Sequence, residues 1–264
     1  MKRYVLYFFL VLMEFVVRSG LAADASQLAV VAAVNNAGST TPPESMATNK
    51  PPWENSISFA LTLTRGNSDT TLANATFNSH RNNLTNEWTF GADATYGENN
   101  SVEDNETLHG FAQYNHLFDE RWYAYARADG LHDGIANVKY RFTASPGAGY
   151  YLIRTRMTRL AIETGPGVVI ERLDGENNTY MAPRFAERFE QKFDGQAHFW
   201  EKVEFLPQAT RWDNFLVNAE IGIEATVTRH VNLRTTLQDN YANEPAPNRR
   251  NNDVRLISGL AYRF

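Results

Sequence analysis

The sequence predicts an all-β fold: a closed antiparallel up-and-down transmembrane β-barrel of about twelve strands. Three observations lead there. Apolar and polar residues alternate with period two in segment after segment, and no long window keeps a period of 3.6. The links between segments switch regularly between compact and long, polar ones. The chain closes on "NNDVRLISGLAYRF", an alternating run that stops on an aromatic, where soluble domains usually end in loose polar residues.

In chain order, residues 1–25 read as a signal peptide. Lys2 and Arg3 precede an apolar stretch from Tyr4 to Val17, and Ala23-Asp24-Ala25 offers a small-x-small cleavage pattern. Glu14 interrupts that stretch, which is also short for a helical membrane span. Residues 26–52 read as a flexible linker, because Pro, Ser, Thr, Asn and Gly dominate from Asn35 to Pro52. The barrel is expected over residues 53–264.

Strands are expected to start near Trp53, Thr70, Thr85, Asn105, Arg121, Tyr140, Thr158, Pro183, Gln196, Phe215, Val231 and Asp253. In the first, Ile57, Phe59, Leu61 and Leu63 share one face, and Ser58, Ala60, Thr62 and Thr64 the other. In the third, Trp88, Phe90, Ala92, Ala94 and Tyr96 oppose Glu87, Thr89, Gly91, Asp93 and Thr95. In the seventh, Leu160, Ile162, Val168 and Ile170 oppose Glu163, Gly165, Gly167 and Glu171. There Pro166 donates no ladder bond. "AHFWEKVEF" in the ninth loses phase near Trp200, where a bulge is expected. The tenth sets Val217, Ala219, Ile221 and Ile223 against Asn218, Glu220, Gly222 and Glu224. In the last, Val254, Leu256, Leu260, Tyr262 and Phe264 share the apolar face.

"RNN", "FDE", "IRTRM", "KFDG" and "TRH" form the compact set of links, on the side of both termini. "RGNSD", "GENNSVEDNE", "GLHDGIANVK", "LDGENNTYMA", "LPQATRWDN" and "NEPAPNRRNN" form the other set, and all but the first are longer and more polar. Short periplasmic turns alternating with longer external loops are the layout of an outer-membrane barrel.

Composition sets the outer bounds. A chain 43% hydrophobic and 21% charged is no bundle of transmembrane helices, each of which needs about 20 consecutive apolar residues. A net charge of −5 gives no electrostatic reason to expect nucleic acid as a partner. With no cysteine, disulfides, CxxC redox chemistry and thiolate metal sites are excluded.

"RADGLHDGIANVKYRFTASPGAGYYL", "LAIETGPGVVIE" and "NEPAPNRRNNDVRLISGLAYRF" resemble the salt-induced outer-membrane protein family, the domain-of-unknown-function 481 barrels. The matching positions are Asp129 or Asp133, Arg141, Gly147, Gly149 and Tyr150, then Glu163, Gly165, Gly167 and Glu171. Asn243, Pro245, Asp253 and Phe264 follow near the end, and "TRGNSDTT", Thr64 to Thr71, fits the family's first hairpin. The resemblance implies the barrel fold, export through the periplasm and a place in the bacterial outer membrane among its lipids. It implies no activity. The closing aromatics Tyr262 and Phe264 resemble the assembly signal that the barrel-insertion machinery reads on outer-membrane proteins.

Arg127, Asp129, Arg141, Glu163, Glu171, Glu220, Glu224, Arg234, Arg255 and Arg263 fall on the wet faces and are expected to point inward. They either form a packed charge ladder or line a water-filled path whose selectivity they tune. Acids and bases balance, so no strong ion preference follows. Catalysis leaves no signature. None of the six histidines sits in a hydrolase motif, and His132-Asp133 reads as a solvated loop pair. HExxH, GxSxG and Walker patterns are missing. The glycines of "GPGVVI" and "SPGAGY" lack the strand-to-helix setting of a phosphate loop. The acids of "GENNSVEDNE" lack the ligand spacing of a calcium loop. No cofactor, metal ligand or catalytic residue is therefore named. The function expected first is a small pore or solute channel. A sealed barrel supporting the envelope comes second, with salt or osmotic stress suggested only by the family name. An enzyme at the lipid face or barrel mouth comes third.

Overall fold

A computed structural model describes residues 53–64, 70–99, 102–193 and 196–264. The signal peptide and linker expected over residues 1–52 lie outside the described residues. The strands are β1 (Glu54–Thr64), β2 (Thr70–Asn82), β3 (Asn86–Asn99), β4 (Val102–Leu117), β5 (Trp122–Asp133), β6 (Val138–Arg154) and β7 (Thr158–Gly165). They continue as β8 (Val168–Leu173), β9 (Glu176–Met181), β10 (Arg184–Phe193), β11 (Ala197–Gln208), β12 (Arg211–Thr226), β13 (Val231–Ala242) and β14 (Asn252–Arg263).

All pairings are antiparallel, and β14 returns to β1, so the sheet closes. Fourteen segments make twelve staves. β6 pairs with β7 at one end and with β8 at the other, and β10 and β9 follow in the same way. Thus β7 and β8 are one stave broken at Pro166, and β9 and β10 are one stave broken at Ala182–Pro183. Pro166 has no N–H to give. Backbones crowd the same level, for a Cβ on Gly165 would lie 2.1 Å from the Pro146 oxygen. Ala182 bridges the break by donating its N–H to Gly167 O at 2.8 Å.

Most links of the long set are largely strand, which corrects the loop reading; the one between Ala242 and Asn252 stays irregular. β8 and β9 meet in a tight turn at Asp174 and Gly175, with φ of 49° and 83°. β5 reaches Asp133, β6 resumes at Val138, and β12 follows β11 after two residues. The expected starts at Asn105, Tyr140, Pro183 and Phe215 move back to Val102, Val138, Glu176 and Arg211. Alternation reports which face is buried, whereas strands projecting beyond the bilayer are wet on both faces and are held by backbone bonds alone. The bulge expected near Trp200 is not there either; the register of β11 shifts at Pro207/Gln208. The phase break has another cause. Trp200 points inward over Gly222, where a Cβ would lie 2.0 Å from the indole ring, and Glu201 points outward.

The outward face is apolar. Phe59, Leu61, Leu108, Phe142 and Leu256 are all more than half exposed, while Ser56, Ser58, Asn74, Gln113, Glu163 and Glu224 are buried inside. A soluble barrel would carry the reverse, so this surface faces a bilayer. Aromatic pairs ring both ends: Trp88–Tyr114 at 4.4 Å and Trp122–Tyr150 at 4.8 Å near the termini, Tyr140–Phe142 at 5.8 Å and Phe215–Tyr241 at 5.6 Å at the other. Such belts suit the membrane interface. Phe264 is tied into the wall, exchanging two backbone bonds with Asn55 at 3.1 and 3.3 Å. The turn before β5 is held by Asp119, whose carboxylate accepts the N–H groups of Trp122 and Arg121, each at 2.7 Å. Those two donors keep its pKa below the usual carboxylate range.

Two acids break the outward face. Glu187 on β10 and Glu201 on β11 are diagonal neighbours, because Glu187 opposes Val203 while Phe189 opposes Glu201. Glu201 is only 7% exposed. A carboxyl among phenylalanines on the lipid side costs stability. Glu201→Leu is therefore expected to stabilise the barrel by about 1 kcal/mol, read as a higher urea midpoint in lipid vesicles. A lower midpoint would show that the carboxyl is needed where it is.

Candidate functional site: the barrel lumen

The inward faces enclose a cavity of about 1060 Å³. Its wall runs from Glu54, Lys192 and His230 at the end holding the termini to Leu131, Asn240 and Arg255 near the other. The two sides of the lumen are built differently. β4 to β10 fill their side with side chains. β1 and β2 line theirs mainly with short uncharged groups such as Ser58, Thr76 and Asn78, and β3 adds Thr89 between its acids Glu87 and Asp93, which leaves space beside β1 and β2.

The packed side is organised around Glu163 on β7, whose side chain is wholly buried. It accepts hydrogen bonds from Gln113 Nε2 at 2.8 Å, Tyr123 Oη at 2.9 Å and Arg184 Nη1 at 2.8 Å, with Arg188 Nη2 at 2.6 Å. Those donors come from β4, β5 and β10. One carboxylate therefore ties the neighbouring strands β4 and β5 to the neighbouring strands β7 and β10, with β6 between the two pairs. Glycine makes room for it: a Cβ on Gly149 would sit 2.1 Å from the Tyr123 ring, and one on Gly147 2.6 Å from the Tyr125 hydroxyl. Nearer the termini, Glu87 accepts from Tyr151 at 2.7 Å, Asn115 at 3.1 Å and Arg154 at 3.4 Å.

Contacts also cross the lumen at mid-height. Arg127 on β5 reaches Glu204 on β11 at 3.8 Å, and Glu204 also pairs with Arg184. Lys202 on β11 lies 5.9 Å from the Phe111 ring of β4. The same ring carries the Arg127 guanidinium at 4.4 Å. This belt narrows the passage toward β1 to β3.

The structure places the ten acids and bases expected in the lumen as follows. Arg127 and Asp129 pair on β5 at 2.5 Å. Arg141 Nε donates to Glu171 Oε2 at 2.6 Å, across the β6–β8 ladder. Glu163 is the hub just described. Glu220 accepts from Trp200 Nε1 at 2.7 Å and Lys202 Nζ at 3.1 Å. Glu224 accepts from Asn232 at 2.7 Å and Arg234 Nε at 2.7 Å, and it also pairs with Arg263. Arg255 differs from the rest. Among the described residues it has no carboxylate within ion-pair distance, and its Nε is buried without a partner.

Sequence reasoning missed Arg184, Arg188, Lys202 and Glu204, which do most of the bridging. Their signal was present in "RFAERFEQKF" and "HFWEKVEF", where the even-numbered residues are the inward ones. Phenylalanines and outward glutamates hid the alternation. His109 was also missed. Its Nδ1 lies 3.0 Å from Asp93 Oδ1, and its Nε2 lies 3.7 Å from Asp129 Oδ1. Among the described residues no group of His, Cys, Asp and Glu is arranged to hold a metal ion.

Comparison with known proteins adds the following. Residues 57–264 match the family model described as "Protein of unknown function, DUF481". No curated protein matches. Similar solved structures include the NanC porin, at 9% identity and a TM-score of 0.46, covering 80% of this chain and 96% of that one. The KdgM porin gives 8% and 0.44, covering 81% and 99%. The translocator domain of the autotransporter NalP from Neisseria meningitidis gives 11% and 0.40, covering 80% and 87%. Likenesses this distant carry neither lumen chemistry nor cargo across to this chain.

Proposed function

Because the chain belongs to the DUF481 family, whose description assigns no activity, we propose from its own lumen that it is a bacterial outer-membrane pore for small hydrophilic solutes. One observation carries the reading: the cavity of about 1060 Å³ whose wall extends from one end of the barrel toward the other. A barrel sealed by its charge ladder would have its acids and bases packed across the full section. Here the densest network is on β4 to β10, further pairs stand on β11 to β14, and a continuous space remains beside the short hydroxyl and amide groups of β1 and β2. Since nearly every lumen acid is matched by a base, selectivity between small ions is weak. The outer membrane as its location rests on the outward apolar face, the two aromatic belts and the even number of staves. In this reading Tyr262 and Phe264 are the signal for the barrel-insertion machinery, and the start of β1 and the end of β14 face the periplasm.

Single-channel recording of refolded protein in a planar bilayer tests the proposal, with slower gel migration after boiling as proof of folding. Discrete current steps are expected. Silence from folded protein would leave a sealed, structural barrel. Arg255 supplies the finer test, because among the described residues no carboxylate lies within ion-pair distance of it. Arg255→Ala should shift the reversal potential toward cations and leave stability nearly unchanged. Arg141→Ala should lower stability, because it strands Glu171, and move selectivity less. The reverse order would mean that the pairing does not set the lumen field.

A further inference from the structure

The wall of the barrel is not zipped along its whole height. At the seam, Ser56–Phe59 of β1 pair with Leu260–Arg263 of β14, and Asn55 with Phe264 extends this to the end holding the termini. Beyond Phe59, β1 continues to Thr64 with every residue paired to β2. Beyond Leu260, β14 continues back to Asn252, paired to β13. Among the described residues no pairing joins Ala60–Thr64 to Asn252–Gly259. Both strands are thus regular on one edge and open on the other.

Two further features mark the same place. A Cβ on Gly259 would lie 2.3 Å from the Phe59 oxygen and 2.9 Å from the Ala60 Cβ. The two backbones touch where the ladder stops, and only glycine fits. Beside the seam the lumen wall also changes character: Ala60, Ile257 and Gly259 face the cavity, where other staves carry charge or amides. On the outside, Leu61 is 65% and Leu256 68% exposed.

Unpaired N–H and C=O groups at membrane depth cost several kcal/mol each unless water or another donor meets them. Irregular or open backbone is tolerated there only where it lines a water-filled cavity. The cavity touches Ala60, Ile257 and Gly259, so lumen water reaches this edge.

We propose that the half of the β1–β14 seam remote from the termini is a lateral gate joining the lumen to the adjacent leaflet. Its ligand class is an amphiphile with a polar head and a single aliphatic chain. The head is held by the hydroxyl and amide wall of β1 and β2, and the chain passes out between small side chains. The gate rests on the barrel standing in a membrane and not on ion conduction.

Hydrogen exchange of the unmodified protein in lipid nanodiscs tests the open edge. The seam-facing amides of 60–64 and 252–259 are expected to exchange at least about a hundredfold faster than those of 217–223 in β12, which is paired on both edges. Equal protection would overturn the gate. The passage is tested with Leu61→Cys/Ser258→Cys, residues that stand opposite if the ladder continues, in a chain with no cysteine of its own. The probe is a fluorescent dodecanoic acid moving from the outer leaflet into an acceptor on the lumen side. Oxidation is expected to cut transfer about tenfold while leaving ion conductance unchanged, and a reductant should restore it. Transfer that persists in the locked barrel, or no transfer by the unmodified protein, would overturn the proposal. Conductance without transfer removes the gate alone. Transfer without conductance removes the pore reading alone.

Discussion

Replacing Glu163 by Leu is expected to cost the barrel about 3–5 kcal/mol, because it leaves a buried cation without its counter-charge. Arg188 has no other carboxylate within ion-pair distance among the described residues, whereas Arg184 keeps Glu204. The lost carboxylate also releases Gln113 and Tyr123, so β4, β5, β7 and β10 lose their common anchor. Glu163→Gln should cost less, since an amide oxygen still accepts from Tyr123. The pair of substitutions Glu163→Leu with Arg188→Leu should recover much of the loss, because apolar replacement of a whole buried pair is often close to neutral. Urea unfolding of the refolded protein in lipid measures all three. If the double variant is no more stable than Glu163→Leu, the network owes its stability to hydrogen bonds and not to charge balance.

Asn78→Trp is expected to cut single-channel conductance by roughly threefold or more, since pore diameter sets conduction. Asn78 sits on the uncharged β2 wall, half-buried and facing the cavity, on the side away from the Glu163 network. An indole there fills the passage that the charged belt leaves open. Phe77→Trp is the control, for Phe77 lies on the outward face of the same strand at 39% exposure. The control should conduct as the unmodified protein does. Equal conductance by both variants would place the conducting path elsewhere in the lumen. A fall that comes with lost folding, seen as lost heat-dependent gel migration, would be a packing effect.

What the sequence by itself determined was the barrel and its two faces. Period-two alternation records directly which side chains meet lipid and which meet the interior, so Phe59, Leu61, Leu256 and Leu260 could be assigned outward from spacing alone. The inward acids and bases were legible for the same reason. Alternation failed where polarity did not follow the face. Trp200 turns inward because Gly222 across the ladder leaves room, and Glu201 turns outward, a relation between strands that no single segment records. Strand ends beyond the bilayer were lost because both faces there are wet.

Only the tertiary structure decided how the lumen is filled. Glu163, Gln113, Tyr123 and Arg188 lie up to 75 positions apart in the sequence, and closure of the sheet brings them to one point. The same closure decided that the seam zips for part of its height only. Register between the first strand and the last is a long-range fact, fixed where Gly259 meets Phe59, and neither strand's own pattern contains it.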